Sequence, residues 1–482
     1  MHRRLCVGSI PSEKMSILSF DSGTLTLTGA DHLSLPGAAG RLLKHDPRIN
    51  ALRGRACDYA NIVLALRSAG FDFSDNARDF APLENLSLQQ ELIPRPHQQQ
   101  AFDAWRANDF RGVAALPTGS GKTILAVMAA AYLKRPTLFL VPTIDLLGQW
   151  TGVLEHFFGC EVGMLGGGER KILPLTVSTY DSAVLNMEFI GNKFGFLVAD
   201  ECHHLPGPEI RLAAAMAIAP YRLGLSATPE LPDDRAQVLS DLMGPTVCNI
   251  HIDELEGKVL SNYVIHTIPV ELDEEDAVSY MENRKIYTDF LRAHQLNFHF
   301  QSEWGRFLGL CARLPQGREV FRAFLTQKRI AQGGEAKIRK VWEILSQHPD
   351  EQTIVFTADN HTAYEIGRRF AFPVITHRTK PGERKEFLKL FREKVYRVIV
   401  TSKVLNEGVD VPAAAQGIIL SGSGSVREHV QRLGRILRPA PGKTQAELYE
   451  LVSAGTGEEN ISMRRRDHRA YQNHDSGETE SC

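Results

Sequence analysis

The chain reads as an α/β protein with two parallel-sheet lobes, a small mixed α/β unit ahead of them and a helical insertion between them. Three observations carry this reading. Over residues 91–265, short and nearly continuous apolar runs alternate with helical segments, the pattern of strands covered on both faces of a parallel sheet. The same alternation returns after residue 340. Between the two, residues 276–335 keep helical periodicity and lose the strand rhythm.

Residues 1–90 make the small unit. Thr and Leu alternate over residues 24–28 and stop at Gly29, a strand; residues 59–66 have helical apolar spacing that ends before Gly70. The first lobe spans 91–268, with strands expected at 113–116, 138–141, 176–179, 196–199 and 222–226. A linker and basic helical insertion follow over 269–340. From Arg284 to Lys340 there are 12 Lys or Arg against 4 Asp or Glu, so 12 − 4 = +8. The second lobe spans 341–455, with strands at 353–356, 397–400 and 417–420. Residues 456–482 carry Arg464, Arg465 and Arg466 ahead of a polar, acidic end and read as disordered.

A length of 482 residues suits about three domains, and 43% hydrophobic with 23% charged residues is ordinary for a soluble protein. The net charge of −2 excludes a binder that works by bulk charge, so polynucleotide contact must use a local patch. The basic insertion is that patch; Lys328, Arg329, Lys337, Arg339 and Lys340 are its candidate contacts, with salt-sensitive binding as the expected sign. Seven cysteines without a C-x-x-C pair give no disulfide framework, which suits a reducing interior. No secretory signal and no run of about 20 apolar residues is present, so the expectation is a cytoplasmic protein without membrane contact.

The chemistry concentrates in four segments. After the strand that ends at Leu116 comes Pro117-Thr118-Gly119-Ser120-Gly121-Lys122-Thr123. Its glycines let backbone N–H groups wrap a triphosphate at a helix start; Lys122 reaches the β and γ phosphates, and the Thr123 hydroxyl ligates Mg²⁺. Asp200 ends an apolar strand and is expected to hold Mg²⁺, while Glu201 orients and deprotonates the attacking water. Cys202, His203 and His204 invite a zinc reading, but three adjacent residues do not readily converge on one ion. His203 instead reads as a coupling residue towards Ser226 and Thr228. Late in the chain, the segment opening with Gln431 brings Arg435 and Arg438, spaced to share one helix face and to act as arginine fingers on the transferring phosphoryl group.

This ordered set, with Arg95-Pro96-His97-Gln98 upstream, resembles superfamily 2 helicases. The Asp200-Glu201-Cys202-His203-His204-Leu205-Pro206 segment, the run from Ala219 to Thr228, and the Ser421–Ser425, Asn406–Pro412 and Gly455–Glu458 segments are similar to the XPB-type DNA repair helicases, particularly their compact prokaryotic form. The resemblance implies that both lobes are RecA-like, that residues 1–90 form a damage recognition-like domain, and that the insertion is a thumb gripping DNA. It implies ATP and Mg²⁺ as cofactors and 3′-to-5′ helicase or duplex translocase activity on duplex, forked or damaged DNA. It places Arg95 and Gln98 at the adenine, Thr143 and Thr179 near the DNA backbone, and Gly408 and Asp410 between DNA and nucleotide; Gln431 belongs to the coupling set. One departure lies at Glu230-Leu231-Pro232-Asp233-Asp234-Arg235, which keeps only the Asp of the family's Arg-Glu-Asp element and weakens the expectation of strand separation. The rivals are an RNA-remodelling ATPase and a scaffold with a vestigial nucleotide site. The expected working form is a monomer, nucleoid-associated if prokaryotic, with any DNA cutting left to a separate nuclease or repair factor.

Overall fold

The computed structural model describes residues 15–30, 35–227, 231–255, 262–296, 301–402, 414–421 and 445–466. The chain divides into two compact units, Met1–Leu116 with Gly121–Asn249, and Ile250–Cys482 with Pro117–Ser120.

The first unit holds two sheets. The smaller has five strands in the order Lys44–Asp46, Ala51–Arg55, Thr24–Thr28, Ser16–Asp21, Phe73–Asn76. Ser16–Asp21 and Thr24–Thr28 form a hairpin with Asp21 opposite Thr24, so Ser22 and Gly23 alone make the turn. Both have positive φ, 47° and 81°, as a twist-matched two-residue hairpin demands. The helix Tyr59–Ser68 covers this sheet, burying Ile62 and Leu66 against Leu18, Leu25, Leu27 and Leu52. Ile218, from the lobe that follows, completes the same core.

The larger sheet has eight strands, ordered Thr246–Asn249, Arg111–Ala115, Tyr221–Ser226, Phe196–Ala199, Thr137–Val141, Leu175–Thr179, Gly163–Gly166, Glu169–Arg170. All neighbours are parallel except the last pair. Phe196–Ala199 is buried along its whole length, which is why it reads as an unbroken apolar run, and Leu175–Thr179 is equally buried although Thr176, Ser178 and Thr179 are polar. The four central strands therefore all deliver their carboxyl ends to one edge.

The second unit has a six-stranded parallel sheet, ordered Asn262–Val270, Gln445–Ser453, Gln416–Ile419, Thr353–Phe356, Val398–Thr401, Val374–Ile375. Helices Glu274–Ala293, Gln301–Arg313 and Gly317–Gly333 precede its central strands and have their own core of Phe290, Phe307, Cys311 and Val320.

Three boundaries differ from the sequence reading. The strand Asn262–Val270, whose residues 262–268 are expected in the first lobe, pairs over nine positions with Gln445–Ser453 and so belongs to the second sheet. Strand character was local, whereas the partner lies far along the chain. The helix Glu335–Gln347, whose residues up to 340 are expected in the insertion, buries Ile338, Val341 and Ile344 against Val355, Val400 and Ile418 of the second sheet. Finally, the tail does not begin at 456: Gly457–Arg466 is helical, and Glu458 is buried.

Candidate ATP site

The phosphate loop is built by glycine conformation. Gly119 and Gly121 have φ of 84° and 89°, and Gly121 is the N-terminal cap of the helix Lys122–Leu133. A Cβ on Gly121 would lie 2.3 Å from Gln98 Nε2 and would displace that side-chain end, while the positive φ itself disfavours any residue but glycine there. The Ser120 hydroxyl donates to the Pro117 carbonyl at 2.8 Å and closes the loop on itself. The helix start carries no capping side chain and no acidic residue in its first turn, leaving its N–H groups and positive end for an anion. Among the described residues, the buried Thr118 Oγ1 has no hydrogen-bond partner, which suits a loop shaped for phosphate oxygens.

Lys122 and Glu201 are 79 positions apart in sequence, yet Lys122 Nζ stands 3.3 Å from Glu201 Oε1 with both side chains nearly buried. Glu201 has φ 47°, a strained turn directly after the strand that ends at Ala199. Asp200 Oδ1 accepts the Glu201 N–H at 3.0 Å, and Asp200 Oδ2 accepts Trp150 Nε1–H at 3.0 Å. Burial, and then the neighbouring Glu201 charge, push the Asp200 carboxyl up to about 6, against the pull of Lys122 and Trp150. Two adjacent carboxylates with one nearby lysine are short of positive charge. The oxygen donors of Asp200 and Thr123 fit Mg²⁺, which such a site would favour.

His203 lies beside this pair. Its Nδ1 is 3.5 Å from Glu201 Oε2 and 3.4 Å from Ser226 Oγ, so the expected coupling residue lies between the Glu201 carboxylate and the next strand. Gln98, expected at the adenine, is 3% exposed; its Oε1 accepts the Arg95 N–H at 2.9 Å and its Nε2 donates to the Gly121 carbonyl at 3.3 Å. Gln98 thus holds the phosphate loop in place. Thr143 and Thr179 cap the helices Ile144–Phe158 and Tyr180–Ile190, accepting the N–H groups of Leu146 and Ser182.

The basic residues separate. Lys328 and Arg329 are exposed on the insertion, with the Lys328 ammonium 6.0 Å from the Phe324 ring centroid. Lys337 is a correction: it is 1% exposed, ion-paired to Glu458 and bonded to the Leu420 carbonyl at 2.8 Å. Arg339 pairs with Asp273 at 2.6 Å and Lys340 with Glu343 at 2.9 Å, so neither is an unengaged cation. The sequence counted charge along a segment, but the helix carrying these three packs on the second sheet. Thr228, Gly408, Asp410, Gln431, Arg435 and Arg438 lie outside the described residues.

Sequence reasoning missed Trp150, Tyr180 and Arg222. The Tyr180 hydroxyl donates to the Asp200 carbonyl at 2.7 Å. Arg222 is fully buried and donates to the carbonyls of Ala214, Ala217, Ala219 and Leu242 at 2.7–3.0 Å; burial lowers it to about 10. A buried arginine inside a strand pattern has no local signal that separates it from an exposed one.

The chain is 38% identical over 425 residues, 88% of its length, to the DNA 3′-5′ translocase XPB2 of Sulfurisphaera tokodaii, covering 96% of that protein. The chain belongs to the XPB helicase family. The damage recognition domain of the xeroderma pigmentosum group B helicase matches residues 18–77 of this XPB-family chain, the res subunit of type III restriction enzymes matches 91–231, and the helicase conserved C-terminal domain matches 336–440. The DNA 3′-5′ helicase XPB of Mycobacterium tuberculosis is 30% identical over 76% of this chain, which spans 62% of that protein. In fold, the XPB-family chain is similar to the Pyrococcus furiosus Hef helicase domain, with a TM-score of 0.52 at 18% identity, covering 79% of this chain and all of that one. No helix among the described residues is long and apolar enough to cross a membrane.

Proposed function

We propose that this chain is an ATP-driven double-stranded DNA translocase and 3′-to-5′ helicase that acts in DNA repair or DNA opening. The observation that carries the reading is the buried line Lys122, Glu201, His203, Ser226, in which each neighbouring pair lies within 3.5 Å. ATP bound over Gly119 and Gly121 draws Lys122 from Glu201 to its phosphates. Glu201 then accepts a proton from the water whose oxygen attacks the γ-phosphorus, as the bond to the β-phosphate oxygen breaks and ADP leaves. Thr123 and Asp200 would hold Mg²⁺, which would neutralise charge at the phosphates when bound. His203 reports the state of Glu201 to Ser226 and, with Thr228 and Gln431, links hydrolysis to movement. Arg435 and Arg438 complete the site as fingers, and Gly408 and Asp410 relate it to DNA.

On the same reading Arg95 and Gln98 frame the adenine, Thr143 and Thr179 face the DNA backbone, and Lys328 and Arg329 grip phosphates from a thumb over residues 274–333. The protein is proposed to work as a cytoplasmic monomer alongside a separate nuclease or repair factor. ATP hydrolysis measured in parallel with duplex DNA, forked DNA, single strands and RNA tests the proposal. Stimulation by duplex or forked DNA above RNA is expected, and stimulation by RNA alone would replace the reading with an RNA-remodelling one.

A further inference from the structure

Two large aromatic side chains outside every motif end on one residue. Trp150, 2% exposed, gives its indole N–H to Asp200 Oδ2, and Tyr180, 3% exposed, gives its hydroxyl to the Asp200 backbone carbonyl. With the Glu201 N–H on Oδ1, both carboxylate oxygens and the backbone carbonyl of Asp200 each have a donor. That fixes the rotation of the carboxylate and leaves further lone pairs on each oxygen for a hydrated cation.

Neither aromatic stands on the strand that carries Asp200. Trp150 lies on the helix Ile144–Phe158, which begins at Thr143, and Tyr180 is the first residue of the helix Tyr180–Ile190, which begins at Thr179. Those threonines are the two candidate contacts for the DNA backbone. Indole and phenol are rigid groups with two side-chain torsions, and both are buried here, so a small displacement of either helix is carried to Asp200.

We propose that Trp150 and Tyr180 are positioning residues that tie the cation-holding carboxylate to the two helices starting at Thr143 and Thr179, so that DNA held at those helix starts tightens cation binding at Asp200. The DNA half rests on the translocase reading above; the positioning half does not. Linkage requires the effect to be reciprocal, with the cation tightening DNA by the same factor.

The test uses the full chain, a non-hydrolysable ATP analogue, and Mn²⁺ as the cation probe, with free Mn²⁺ read by electron paramagnetic resonance, with and without duplex DNA. Tyr180→Phe and Trp150→Phe each remove one donor and should weaken Mn²⁺ by about three- to tenfold without DNA. In the parent protein DNA should tighten Mn²⁺, and both variants should lose that gain. Thr151→Ala removes another buried hydroxyl from the Trp150 helix, one that bonds the Leu147 carbonyl, and should leave Mn²⁺ affinity unchanged. Unchanged Mn²⁺ affinity in both Phe variants, or an equal loss in Thr151→Ala, overturns the positioning role. Parent protein that binds DNA without tightening Mn²⁺ overturns the link to the helices. Parent protein that binds no DNA sinks the translocase reading and the link together, while the DNA-free comparison still decides the positioning role.

Discussion

Lys337 separates a charge that grips DNA from a charge that holds the fold. Its ammonium pairs with the Glu458 carboxylate and donates to the Leu420 carbonyl at 2.8 Å, and the side chains of the pair are 1% and 3% exposed. Glu458 Oε2 also accepts the Ser453 N–H at 3.0 Å. Lys337→Met keeps much of the stem volume and removes the charge, leaving Glu458 buried with the Ser453 N–H as its remaining donor among the described residues. Breaking a buried pair from one side costs about 3–5 kcal/mol. At roughly 2–4 °C per kcal/mol for units of 150–250 residues, Tm should fall by roughly 6–20 °C. Adding Glu458→Gln removes the stranded charge and should recover more than half of the loss, because replacing both members of such a pair is often close to neutral. Thermal unfolding followed by circular dichroism measures the stability. Fluorescence anisotropy across a salt series measures DNA affinity, and its slope should be unchanged. If Lys337→Met instead lowers that slope by about 0.9, the loss of one phosphate contact, with Tm intact, the buried pair is refuted.

Replacing Lys328 and Arg329 together with Gln, both exposed on the insertion, should reduce the same slope by about 2 with little change in Tm, and an unchanged slope would remove the insertion from the grip. Gly121→Ala forces a side chain into a backbone at φ 89° and 2.3 Å from Gln98 Nε2; calorimetry should show at least about tenfold weaker ATP-analogue binding, with about 1–2 kcal/mol of stability lost. Lys122→Ala should abolish turnover while duplex affinity is kept, and retained turnover would refute the site. Asp200 holds its proton up to about 6 in the fold against 3.8 ordinarily, so this group stabilises the metal-free protein at acid pH and that contribution is lost as pH rises through 6. Mg²⁺ affinity for the ATP-analogue complex should therefore fall about tenfold per pH unit below about 6 and level off above it, and a flat profile from pH 5 to 7.5 would refute the assignment.

Strand, glycine turn and helix follow one another within a few residues at the phosphate loop, and each is dictated by nearby side chains. That is why the turn at Gly119 and Gly121 and the central strands, five in the first lobe and three in the second, could be placed from one-dimensional patterning. Short range also explains the failures. Lys337 and Glu458 are 121 residues apart, and no periodicity shows that a cation in a basic run will turn inward to a carboxylate in an apparently polar tail. The strand Asn262–Val270 announces its own conformation but not its partner, Gln445–Ser453. Trp150 and Tyr180 look like ordinary core aromatics until Asp200 arrives beside them. Local conformational preference travels with the residues, whereas the partner of a buried donor is chosen only when distant elements pack and water is excluded from between them.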